Sequence, residues 1–139
     1  MDIKIIGPNL MARLNIYKDN ILLPFKFDLS DIQMSYTEAD MDTENNQPEI
    51  SVIKTASKII RVECHQNNDI KFQIIKLDTI SSINYQSTLL APDNKMTVNK
   101  LTLYYNNLSC DFPQPAKKQF SRLELNCYEK FVNNLIHSL

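Results

Sequence analysis

A chain of 139 residues with 43% hydrophobic side chains is long enough for one domain with its own core. The formal charge of −1 and sequence pI of about 6.1 lack the basic footprint of a nucleic-acid binder, for which a pI above about 9 is usual. No run approaches the roughly 18 to 20 apolar residues of a membrane span, and Met1-Asp-Ile-Lys-Ile-Ile-Gly7 has no basic stretch before a long apolar core, so neither a span nor a secretory signal is read here.

Residues 2 to 36 read as strands. Leu10, Ala12, Leu14 and Ile16 alternate with polar neighbours, and so do Leu23, Phe25, Phe27 and Leu29. Pro24 places that second strand at a sheet edge or a bulge. Ile32, Met34 and Tyr36 continue at period two after a parity break at Ser30-Asp31.

Residues 37 to 49 hold five acids and no base, and they read as a mobile, solvated loop. Without them the balance would be fifteen bases against eleven acids, a charge of +4. Asp40, Asp42 and Glu44 alternate as in a calcium loop, but Asn45 stands where that loop needs Gly, and Ser51 where it needs Glu. Glu38, Asp40, Asp42 and Glu44 are therefore candidates for binding a protein partner.

Strands resume after Pro48. Ile60, Val62 and Cys64 share one face, as do Ile70, Phe72 and Ile74. Pairing Cys64 with Ile70 and Val62 with Phe72 leaves Gln66-Asn67-Asn68 as the loop, with Asn68 left-handed. Ile80, Ile83 and Tyr85 suggest a short strand, and Ser87 to Lys95 a loop around Pro92. Leu101-Thr-Leu-Tyr-Tyr105, Asn106-Asn107 and Leu108-Ser-Cys-Asp-Phe112 then form a hairpin. A two-residue turn pairs Tyr105 with Leu108, Leu103 with Cys110 and Leu101 with Phe112, so all six fall on one face.

The last element is an amphipathic helix spanning about residues 116 to 138. Ala116, Phe120, Leu123, Cys127, Phe131 and Leu135 step by three or four, flanked by Leu125, Tyr128, Val132 and Ile136. Phe131 and Leu123 are the expected core anchors. Pro115 favours the early start, whereas a capping box at Ser121-Arg-Leu-Glu124 would start the helix near 122. Lys118 and Arg122 lie off the stripe and join the candidate partner-binding residues.

The fold expected is α+β, mainly β: seven or eight antiparallel strands in a bent sheet or partly open barrel, closed by one C-terminal helix. Residues 1 to 139 read as a single domain.

One glycine stands among fifteen asparagines and sixteen isoleucines, a bias that an AT-rich genome, bacterial or viral, produces. Asn must then serve wherever φ is positive, and no glycine-rich phosphate cradle can form. Cys64, Cys110 and Cys127 sit in apolar-facing slots without metal-ligand spacing, which suits buried thiols in the reducing cytoplasm. His65 and His137 are far apart, and no nucleophile motif accompanies either. No catalytic residue, metal or cofactor is expected.

Lys58-Ile-Ile-Arg-Val62, Leu77-Asp-Thr-Ile-Ser-Ser-Ile83, the closing hairpin and Tyr128-Glu-Lys-Phe131 give residues 50 to 139 an order that resembles a pleckstrin-homology-like domain. The resemblance implies a bent antiparallel sheet, a helix plugging one end and a binding scaffold. Lys54, Lys58 and Arg61 depart from the basic spacing of its lipid-binding members, and the helix lacks their usual Trp.

Three functions are expected in order. The first is a non-catalytic module that binds a protein partner through a sheet edge or the acidic loop. The second is a small structural or accessory subunit of a larger assembly, with homo-oligomers formed through an edge strand. The third is a carrier of a small ligand or lipid.

Overall fold

Asn106 and Asn107 both adopt positive φ, 48° and 64°, at the turn of the last hairpin. That conformation matches the twist of antiparallel strands, and after Gly it is Asn that tolerates it best. The hairpin takes the register expected: Tyr105 opposite Leu108, Leu103 opposite Cys110, Leu101 opposite Phe112. Leu101, Leu103, Tyr105 and Phe112 are buried on its inner face. Leu108 departs from the expectation: it has the right parity but is 61% exposed, because it lies beside the turn and beyond the packed layer.

A computed structural model describes residues 7–10, 32–67, 69–90, 95–115 and 121–138. Among these residues it contains β1 (Met34–Ala39), β2 (Glu49–Lys54), β3 (Lys58–Cys64), β4 (Ile70–Lys76), a 3₁₀ turn (Leu77–Thr79), β5 (Ile80–Leu90), β6 (Lys95–Tyr105), β7 (Leu108–Pro113) and a helix, α1 (Ser121–Ser138). All strand pairs are antiparallel, in a four-stranded sheet ordered β1-β2-β3-β4 and a three-stranded sheet ordered β5-β6-β7. The chain is mainly β with one C-terminal helix, and the 3₁₀ turn carries it from one sheet to the other.

Both faces of the first sheet carry buried side chains. On one, Tyr36, Val52, Ile59 and Ile75 join the inner face of the second sheet and Tyr128, Phe131, Val132 and Leu135 of α1. Tyr36 meets the rings of Tyr128 and Phe131, each with centroids 5.2 Å apart. The Tyr128 hydroxyl donates to the Phe112 carbonyl at 2.6 Å. On the other face, Ile53, Ile60, Val62 and Cys64 pack with Ile32 and Leu10.

Among the described residues β1 stands first in its sheet, and α1 packs against it. A bulge lies between Thr37 and Ala39. There the Thr37 N–H donates to Glu124 Oε2 at 2.8 Å. The carboxylate read as half of a capping box thus reaches across to the sheet and occupies an edge donor. Burial pushes the Glu124 carboxyl up, partly offset by that hydrogen bond.

Several expectations are corrected. Leu10 lies in a helical turn at residues 8–10, not in a strand. The acidic loop is shorter than 37 to 49: Thr37, Glu38 and Ala39 belong to β1, and Glu49 begins β2. Between them Asp42 and Gln47 pair backbone to backbone. Asp42 also accepts the N–H groups of Glu44 and Asn45, and Asn46 takes φ 52°. These are the parts of an Asx turn, which organise the loop locally. β5 runs for eleven residues, and Ser87 and Lys95 lie in strands. Leu123 is 39% exposed, at the edge of a stripe wider than the face that α1 buries. The strands expected at residues 11 to 31, the left-handed Asn68 and the helix start before 121 lie outside the described residues.

Candidate functional site

Burial divides the sequence-derived candidates. Asp40 and Glu44 are exposed at the loop, whereas Asp42 is half-buried and occupied by its own turn. Glu38 is buried and points away from that set: its Oε2 accepts from Arg61 Nη2 at 2.7 Å. Lys118, and the side chain of Arg122, lie outside the described residues. The acids therefore do not form one surface.

Arg61 leads a polar row through the first sheet. Its Nη1 lies 3.6 Å from Glu63 Oε1, and His65 Nε2 is 3.2 Å from Glu63 Oε2. Burial pushes the Glu38 carboxyl up, and the Arg61 guanidinium pulls it back. Tyr36 Oη and Glu38 Oε1 are buried with no hydrogen-bond partner among the described residues. Cys110 lies within electrostatic reach of Arg61 and donates a weak hydrogen bond to Gln73 Oε1 at 3.7 Å. Burial raises its pKa, the opposite of an activated thiol. The row braces β1 against β3 across β2.

Lys54, Lys58 and Arg61 do not gather into a basic patch. Lys54 is buried, with Nζ donating to Gln33 Oε1 at 2.9 Å, and burial lowers its pKa. Arg61 shares its face with Val52 and Gln73, and Lys58 lies on the opposite one with Ile60 and Val62.

That opposite face holds a surface that sequence reading missed. β4 pairs with β3 alone, and so stands last in its sheet, among the described residues. Ile60 and Val62 on β3 are buried, but their partners Ile74 and Phe72 on β4 are 41% and 37% exposed. Beside them Lys58 stands directly opposite Lys76. Period-two alternation brings Phe72, Ile74 and Lys76 to one side of the strand. The alternation was legible, but which strand lay at the edge was not.

A shallow cleft of about 400 Å³ opens at the far end of the second sheet, lined by Ser81, Ser82, Tyr104, Tyr105, Leu108 and Ser109 among others. Among the described residues no group of three His, Cys, Asp or Glu side chains could hold a metal ion, and no helix is long and apolar enough to cross a membrane. The chain matches no family model, no curated protein and no solved structure.

Proposed function

We propose that the protein is a non-catalytic interaction module that docks a protein partner on the β4 edge. One observation carries this reading: β4, bonded to β3 alone among the described residues, carries a large apolar residue, Ile74, that is partly exposed on the strand. Such an edge is a template for a further strand, with main-chain hydrogen bonds for affinity and alternate side chains for selectivity. The order of four strands, three strands and a closing helix supports the pleckstrin-homology-like resemblance, and with it a scaffold role. Burial of Lys54 speaks against the family's lipid-headgroup site. Three cysteines outside any disulfide fit a cytoplasmic setting.

A photo-crosslinking amino acid at position 74, in cells of the source organism, tests the reading. A discrete protein adduct is expected, absent when the crosslinker stands at Thr102 on the opposite sheet and lost on Phe72→Lys. No adduct, or the same adducts from both positions, overturns it.

A second reading, a subunit of a larger assembly, is favoured by β5 and β7, each bonded to β6 alone among the described residues. Light scattering on the purified protein separates the two. A monomer supports the module, and a concentration-dependent oligomer the subunit.

A further inference from the structure

We infer that the cleft at the end of the second sheet binds a neutral saccharide. The site is built from β5, β6, β7 and the last hairpin turn, not from β4, so it stands whether or not a protein docks at Ile74.

Register assembles the cleft. Ser82 stands opposite Tyr104, and Tyr104 opposite Ser109. Directly opposed residues point to the same side of a sheet, so a phenol flanked by two hydroxyl groups runs across the three strands. That side is the outer one, because Leu103 and Tyr105, the neighbours of Tyr104, are buried on the inner face. The register shift between Ile80 and Ser82 sets Ser81 out of the ladder. Its hydroxyl donates to the Tyr104 carbonyl at 3.0 Å. Asn107 and Leu108, at the turn, complete the lining.

The chemistry of that lining selects the ligand. None of the residues in it carries a charge. A phosphate or carboxylate would meet no cation there and an amine no acid, so an ion would lose hydration without a counter-charge. The side chains of Ser82, Tyr104, Asn107 and Ser109 each donate and accept, as a ligand hydroxyl does. Among the described residues none of these four hydrogen-bonds to the protein, so all four remain for a ligand. Apolar surface lies beside them. Tyr104 and Leu108 are 37% and 61% exposed, and both line this cleft. A sugar has the matching surfaces, hydroxyls at the rim of its ring and C–H groups on its faces, and a tyrosine offers an apolar body with a polar tip. The volume of about 400 Å³ lies within the roughly 300–1,000 Å³ of small-molecule sites. The next row on the same face, Asn84, Thr102 and Asp111, is polar too, which gives a longer saccharide further partners.

Titration of the isotope-labelled full chain with maltotetraose, cellotetraose and N-acetylchitotetraose, followed by amide shifts, tests the proposal. At least one of them should move the amides of Ser82, Tyr104 and Ser109, with half-saturation near about 1 mM, unchanged by added salt. Tyr104→Ala should weaken that binding about fivefold or more, and Tyr104→Phe less, because the ring stays. Tyr85→Ala, which removes an exposed tyrosine outside the cleft, should leave it unchanged. The same spectra show that each variant is folded. No shift from any of the three saccharides up to about 20 mM overturns the assignment. So does binding of inorganic phosphate or a sulfated heparin oligosaccharide alone, which would make this an anion site. Equal losses from Tyr85→Ala and Tyr104→Ala overturn it as well.

Discussion

Gly7, the only glycine, lies against the carboxyl group of Glu49: a Cβ at Gly7 would fall 2.5 and 2.6 Å from its two oxygens. Those oxygens are committed. Oε1 accepts the Asn9 N–H at 3.0 Å, and Oε2 the Leu10 N–H at 2.9 Å. The buried acid at the start of β2 thereby holds residues 7–10 against the sheet, with Leu10 in the core.

Gly7→Ala is expected to destabilise the fold by about 1–3 kcal/mol through overpacking. Glu49→Ala should cost about 1.5–3 kcal/mol, the range for hydrogen bonds to a charged group. The double variant should lose clearly less than the two separate losses together, because removing the carboxyl opens the space a Cβ needs. Urea denaturation of the four proteins measures this coupling, and strict additivity would contradict it.

Phe131→Ala should cost about 3–5 kcal/mol, since its ring is buried against Tyr36 and Phe112. Leu123→Ala, partly exposed on the same helix, should stay within about 0.5–1 kcal/mol of wild type. Chemical denaturation of both variants checks the contrast, and equal losses would mean that α1 is rotated from the position described.

Glu124 sets a pH dependence. Its carboxyl is raised above the ordinary 4.5, chiefly by burial. The folded protein therefore keeps this proton to higher pH than the unfolded chain does. The associated stability is fully present below 4.5 and is lost as pH rises through the folded value. Glu124→Gln removes the titration and keeps an oxygen for the Thr37 N–H. The stability of the variant relative to wild type should thus improve from about pH 4 to pH 7. Melting curves across that range test the sign.

The Asn106-Asn107 turn should accept Gly and reject β-branched residues. Asn107→Gly is expected to leave stability within about 0.5 kcal/mol, whereas Asn107→Val should lose about 1–2 kcal/mol, because positive φ crowds a branched Cβ. Thermal melts of the pair give the answer.

What sequence could reveal follows from the range of the interactions. The registers of β3–β4 and β6–β7 were legible because period-two alternation and short turns are local, and both came out as read. β5 was cut short because Ser82, Asn84, Gln86 and Ser87 carry no apolar signal, and their strand is held by pairing with β6. Glu38 and Glu49 were misplaced for another reason. An acid in an acidic stretch looks solvated, and what buries it here are Arg61 and the N–H groups of Asn9 and Leu10, 23 to 40 positions away. The exposed side of β4 was hidden for the same reason, since an edge is a property of the whole sheet.

Thr37 and Glu124 meet across 87 positions, and the timing of synthesis gives that distance a meaning. On the ribosome, β1 emerges early and its neighbours β2 and β3 follow within a few seconds at usual elongation rates of about 5–20 residues per second. The ring of Tyr36 and the edge N–H of Thr37 then wait, uncovered, until residues 121–138 have been made. During that interval the nascent sheet shows an apolar face that chaperones recognise. A premature stop before α1 would leave that face open for good, so truncated chains should be recovered bound to chaperones or degraded, even though every strand of both sheets has been synthesised.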